Sequence, residues 1–311
     1  MPKVHGNLLE IADGFDAFLF DAYGVFYDGH GFFPGSIETM AELRARGKKV
    51  AVLSNNPTSA SSSRGRYAKE GLLKGVHYDE FVTSGEVANW GMRNGKFDLG
   101  GYRYYTFGTK GKPYTEGTGY VEVDAPEDAD FIYLTCPVMS DAERDGLEPS
   151  MRKLLVEKPV RPGVWYGLEL EPFLPRMREV FEYGLPMFNP NPDFRSQEKA
   201  VGRDGSVFIA VEGMVAEEYR RSGGTVVEVG KPHELIYDYA LGLLADFDRP
   251  RVLMVGDTVR TDIRGAKLAG IKSALCVETG IVADEISRGG NLGDIFARDG
   301  ATPDFLIKSV G

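Results

Sequence analysis

The sequence predicts an α/β protein: a doubly wound, parallel-sheet core built from both ends of the chain, with a smaller α/β domain inserted between the halves. Three observations carry this. Apolar runs of strand length alternate with helix-length stretches over the first 85 residues and again from about residue 225. That is the pattern of βαβ units with right-handed crossovers. Several of these runs end in a polar turn. Between the halves, residues 86–224 lose the rhythm and become rich in Gly, Pro and Tyr. The predicted division is therefore 1–85 plus 225–311 for the core and 86–224 for the insert.

Taken in order, "AFLFDA" is a short apolar strand ending in an acid. "PGSIETMAELRARGKK" places Ile37, Met40 and Leu43 at helical spacing, with Gly47 as its stop. "KVAVLSNNPT" is a second strand with a polar end, "SRGRYAKEGLL" a helix and "DEFVTSGE" a third strand. Near the other end, "GGTVVEVGKPHELIYDYALGLLADF" reads as strand, turn and helix, and "RVLMVGDTVRTDIRGAKLAG" repeats that order. "IKSALCVETG" and "TPDFLIKSV" supply two more strands.

Composition narrows the function. The 311 residues carry a formal net charge of −10, so a nucleic-acid backbone is not an expected partner. A small anionic ligand would need a local positive site. The two cysteines, Cys136 and Cys276, sit far apart in apolar runs; they form no disulfide framework, suit a reducing compartment and read as small core residues. No charged segment followed by an apolar stretch marks the start of the chain, and no run reaches the ~20 apolar residues of a membrane span. A cytoplasmic protein without a membrane partner is expected.

In an open parallel sheet, ligands bind outside the carboxyl ends of the strands. The residues at those ends are Asp21 and Tyr23 after the first strand, Ser54, Asn55 and Asn56 after the second, Lys231 after "TVVEVG", and Asp257 with Asp262 after "VLMVG". Alone, each could be a turn or a helix cap. Together, in this order, they specify phosphoryl transfer through a covalent intermediate. A carboxylate can attack phosphorus, and the transferring group must then be positioned and neutralised. Asp21, Asp257 and the Tyr23 carbonyl offer oxygens to Mg²⁺. Ser54 and the amides after it can donate to phosphate oxygens, and Lys231 brings a point charge.

At these residues the sequence resembles the haloacid dehalogenase (HAD) superfamily of hydrolases. "FDAYGV" resembles its first motif, "LSNN" its second, "GKP" its third and "GDTVRTDI" its fourth. Only 33 residues separate Asp21 from Ser54, so the insert falls between the second and third motifs. That placement, with "FVTSGE" before the insert and "NPNPD" within it, is similar to the class IIA branch, which has nitrophenyl-phosphatase-like and pyridoxal-phosphatase-like members. The resemblance covers about 1–90 and 225–290 of the core; within the cap only "NPNPD" contributes. It implies a Rossmann-like core, a C2-type cap and hydrolysis of a small phosphorylated metabolite with Mg²⁺. It implies Asp21 as nucleophile and metal ligand, Tyr23 as a carbonyl ligand, Ser54 and Asn55 as phosphate holders, Lys231 as orienting cation, Asp257 as metal ligand and Asp262 as support of the metal shell. It also implies a homodimer formed through the cap.

Phosphatases of this family usually carry an Asp two residues after the nucleophile, where this chain has Tyr23. A phenol with a pKa near 10 can give a proton but takes one poorly. The expected enzyme is slow, or biased toward good leaving groups. His30, in the glycine-rich loop beyond, is a second source of acid–base chemistry, although its place in the loop reads more simply as surface. "DAYG" also resembles the metal-independent 2-haloacid dehalogenases, and a weakened phospho-ligand binder is a further alternative. In the insert, "YRYYTF" reads as a strand, and "NPNPD" offers Asn191 and Asp193 toward a substrate.

Overall fold

The computed structural model of the protein describes residues 2–199, 206–244 and 247–311. The chain forms two compact units: Met1–Ser54 with Ser59–Thr83 and Gly230–Gly311, and Asn55–Thr58 with Ser84–Val229.

The first unit is built on a seven-stranded sheet. Its strands lie in the order Val4–His5, Phe305–Ile307, Lys272–Cys276, Val252–Gly256, Ala17–Phe20, Lys49–Ser54 and Glu80–Thr83, and every pairing is parallel. A parallel sheet is covered on both faces, so its central strands are apolar throughout rather than alternating. Ala17, Phe18, Leu19 and Phe20 are fully buried, as are Val252 to Val255. Each buried Phe contributes roughly 1.5–3 kcal/mol by leaving water. The helix Ser36–Ala45 buries Met40 and Leu43 with Ile37 beside them. It ends where Gly47 takes a φ of +77°, a conformation glycine reaches without strain.

The second unit holds a five-stranded sheet in the order Val226–Glu228, Met187–Asn189, Phe131–Leu134, Arg103–Phe107 and Val121–Val123, also parallel. "YRYYTF" does supply a strand. The hairpin Arg195–Lys199 and Ser206–Ala210 is antiparallel.

Two elements differ from the sequence expectation. Val226–Glu228 pairs with Met187–Asn189 in the second unit's sheet, not in the core sheet; a short apolar run does not announce which parallel sheet it will join. Cys276 is buried in a core strand, whereas Cys136 lies past its strand and is only partly buried. Among the described residues no helix is long and apolar enough to cross a membrane.

Candidate active site

Strand register assembles the site. Val255 pairs with Phe20, so Asp21 and Asp257 leave adjacent strands at the same edge. After Asp257 the chain winds as a π-helical turn, Val259–Ile263, a form that recurs at functional sites. This returns Asp262 beneath the loop, where its Oδ2 accepts the backbone N–H groups of Asp257 (3.2 Å) and Thr258 (3.1 Å). Carboxylate oxygens of Asp21, Asp257 and Asp262 lie within 4.8 Å of one another.

Glycines make room for this. Gly24 has a φ of +76°, and a Cβ there would lie 2.1 Å from Asp257 Oδ2. Gly280, from the other side, would place a Cβ 1.9 Å from the same atom. Any side chain at either position would displace the carboxylate. Asp257 is fixed further by the Thr258 hydroxyl at 3.0 Å and the Ile281 N–H at 2.6 Å.

Lys231 is buried, and its Nζ lies 2.7 Å from Asp21 Oδ1 and 2.8 Å from Asp262 Oδ1. One ammonium between three carboxylates leaves negative charge in excess. The acidity of Asp257 records it: burial, then the charges of Asp21 and Asp262, raise its pKa well above the usual carboxylate value, against the bonds from Ile281 and Thr258. An all-oxygen, carboxylate-rich donor set in that state fits a hard divalent cation. Asp21 retains a 14% exposed side chain, so it alone of the three opens to solvent.

Ser54 ends its strand and is buried with Asn55. Asn55 donates from Nδ2 to Asp193 Oδ1 at 2.9 Å, both residues belonging to the second unit. Asn56 directs its Oδ1 to the Thr58 N–H and hydroxyl, at 2.9 and 2.8 Å, the geometry of an Asx turn. Tyr23 is half-buried, with its ring edge-on to Tyr27 at 5.5 Å. The Arg66 guanidinium sits 5.7 Å from the Tyr23 ring and 4.7 Å from that of Tyr67. His30 is exposed in a turn where its N–H meets Asp28 Oδ1 at 2.7 Å. Asn191 and Asp193 are joined by the Asp193 N–H to Asn191 Oδ1 bond of 3.2 Å.

Sequence reasoning passed over Arg66 and Thr258, and it passed over Glu212, which is 1% exposed and bonded to Asn191. A Glu opening a helix looks the same in sequence whether it faces solvent or the interior.

Two family profiles match the chain, one described as haloacid dehalogenase-like hydrolase over residues 18–113 and one as HAD-hydrolase-like over 228–310. The 4-nitrophenylphosphatase of Schizosaccharomyces pombe is 24% identical over 97% of this chain and 94% of its own. The glycerol-3-phosphate phosphatase of Gallus gallus is 26% identical over 95% and 89%. A haloacid dehalogenase-like hydrolase structure from Brucella suis superposes with a TM-score of 0.76 at 22% identity, covering 99% of this chain and all of that one.

Proposed function

The chain belongs to the haloacid dehalogenase-like hydrolases, and from that premise we propose that it is a Mg²⁺-dependent phosphohydrolase. Its substrate is a small phosphorylated metabolite, and Asp21 carries the phosphoryl group between the two half-reactions. The observation behind this is the convergence of three carboxylates within 4.8 Å with Lys231 against two of them. The relatives named for phosphatase activity support it.

Asp21 attacks phosphorus; its oxygen–phosphorus bond forms as the bond to the leaving oxygen breaks. Lys231 and Ser54, with the N–H groups after Ser54, hold the charge on the transferring group. Tyr23 gives its phenolic proton to the leaving oxygen. Water then attacks the phosphorus of the acyl phosphate and yields its proton to the phenolate, which frees inorganic phosphate and restores Asp21 and Tyr23. A divalent cation held by Asp21, Asp257 and the Tyr23 carbonyl, with Asp262 behind them, would offset the phosphate's negative charge. Metal-independent dehalogenation needs one carboxylate, and the buried acids Asp257 and Asp262 argue against it.

The test is hydrolysis of p-nitrophenyl phosphate and acetyl phosphate with Mg²⁺ and with EDTA. Turnover is expected with the metal and absent without it; equal rates in EDTA overturn the proposal. The phenol makes a second expectation. Tyr23→Asp restores a carboxylic acid at the position that protonates the leaving oxygen, and kcat for alkyl phosphates is expected to rise by about 10²-fold. A folded variant with unchanged or lower kcat would show that proton delivery by the phenol does not limit turnover.

A further inference from the structure

Gly24 solves one problem in the site and leaves another. A side chain there would strike Asp257, since a Cβ would lie 2.1 Å from Asp257 Oδ2. Glycine is therefore required, and its φ of +76° is one that other residues rarely take. Glycine is also the residue that least restricts its own backbone. The peptide before it carries the Tyr23 carbonyl, one of the oxygens assigned above to a divalent cation. Something else must hold this stretch still.

Two bonds do so. The Gly24 N–H donates to Tyr27 O at 2.8 Å. The peptide is planar and trans, so this bond also fixes the direction of the Tyr23 carbonyl on the opposite side. The next peptide is held at its oxygen, where the Thr279 hydroxyl donates to Gly24 O at 2.6 Å. A carbonyl can only accept, so the hydroxyl proton lies on this bond. Both peptide planes flanking the Gly24 Cα are pinned, one by its own loop and one by a residue 255 positions away.

Thr279 is built as a fixed point. Before it, the Val277 and Glu278 N–H groups bond to Ile307 O and Lys308 O at 2.9 and 3.0 Å, which ties the approach to the neighbouring strand. After it, the helix Gly280–Ser287 begins. A Thr at the N-cap ordinarily turns its hydroxyl to its own helix. Thr279 makes no such bond; its hydroxyl goes to Gly24. Asp257 occupies the helix start instead: the Ile281 N–H donates to Asp257 Oδ2 at 2.6 Å and the Val282 N–H to Asp257 O at 3.3 Å. Residues 279–282 therefore hold both the Gly24 loop and Asp257. A Cβ on Gly24 would also lie 2.7 Å from Gly280 Cα, so the two loops meet backbone to backbone.

We propose that Thr279 is a positioning residue for the cation site: its hydroxyl sets the Gly24 loop against the segment that holds Asp257, and so fixes the Tyr23 carbonyl relative to the Asp257 carboxylate. This deepens the phosphohydrolase reading and rests on its assignment of those two oxygens to Mg²⁺.

The test compares the parent chain with Thr279→Val, which keeps the shape and loses the donor, and Thr279→Ser, which keeps the donor. Calorimetry of Mg²⁺ without substrate is the first readout. Affinity is expected to fall by about 10–100-fold in Thr279→Val, the usual effect of removing a group that orients a metal ligand, and to return to the parent value in Thr279→Ser. Equal affinity in all three overturns the proposal. So does a Thr279→Val protein that melts lower in EDTA yet binds Mg²⁺ as the parent does, the mark of a purely structural contact. Kinetics on p-nitrophenyl phosphate give the second readout. In Thr279→Val the Mg²⁺ concentration for half the maximal rate is expected to rise by the same factor, with kcat at saturating Mg²⁺ close to the parent's. A kcat that falls while the metal midpoint stays in place overturns the proposal. Mg²⁺ binding that follows the expected pattern without turnover of any phosphate ester supports the role of Thr279 and removes the phosphohydrolase reading; a parent that binds no Mg²⁺ overturns both. If Thr279→Val does not fold, Thr279→Ala, which sets no methyl group against the Gly24 carbonyl, takes its place under the same expectations.

Discussion

Asp21→Asn is expected to lower turnover by at least about four orders of magnitude while leaving the protein folded. The amide has the size of the carboxylate, but its nitrogen and carbonyl oxygen are too weak to displace an alkoxide from phosphorus. The fold should tolerate the change for a reason visible in the site. Lys231, buried with two anionic partners, keeps Asp262 at 2.8 Å when Asp21 is neutralised. Asp21 is also the most exposed of the three acids, and its neutral replacement reduces the excess of negative charge around Lys231. Steady-state kinetics on p-nitrophenyl phosphate, with circular dichroism and a urea melt as folding controls, provide the check. Turnover within tenfold of the parent in a folded variant would mean that another group attacks phosphorus.

Lys231→Met is expected to do the opposite to stability. Methionine fills the volume without the charge, and Asp21 and Asp262 lose the cation lying 2.7 and 2.8 Å from them. Breaking a buried ion pair from one side typically costs about 3–5 kcal/mol, because the partner's charge remains buried and uncompensated. Turnover should fall by about 10²–10³ as well, the usual effect of deleting one charge that stabilises a developing anion. The two effects can be separated with metal. Without the ammonium, three mutually close carboxylates have no local cation, so Mg²⁺ should raise the urea midpoint of the variant by more than it raises that of the parent. A variant as stable as the parent in EDTA would show that Lys231 does not neutralise the cluster.

The meeting of the candidate residues was legible in the sequence where position along a strand decides where a side chain lies. Asp21, Ser54 and Asp257 follow apolar runs, and parallel pairing brings such residues to one edge of the sheet. Asp262 was legible because the loop after Asp257 has to return, and the π-helical turn brings it back under the N–H groups of Asp257 and Thr258. Lys231 was found although the strand before it belongs to the second unit's sheet. The "GKP" turn was readable without knowing which sheet its strand joins.

What stayed hidden depends on contacts between residues distant in sequence. Asn55 and Asp193 are 138 positions apart, and neither residue type advertises a partner. Asn56, expected beside phosphate, directs its side-chain oxygen to Thr58, because an Asn before Pro-Thr readily closes an Asx turn. Arg66 reads as an ordinary helix cation until the fold sets its guanidinium 5.7 Å from the Tyr23 ring.

All of this depends on Asp21 bonding covalently to phosphorus. The most direct measurement is mass spectrometry of protein mixed with p-nitrophenyl phosphate and Mg²⁺, then quenched in acid within the first turnovers. The expected result is one added phosphoryl group on the peptide that contains Asp21, lost on return to neutral pH and absent from Asp21→Asn. Steady release of inorganic phosphate with that peptide unmodified, or with the group on another residue, would contradict it.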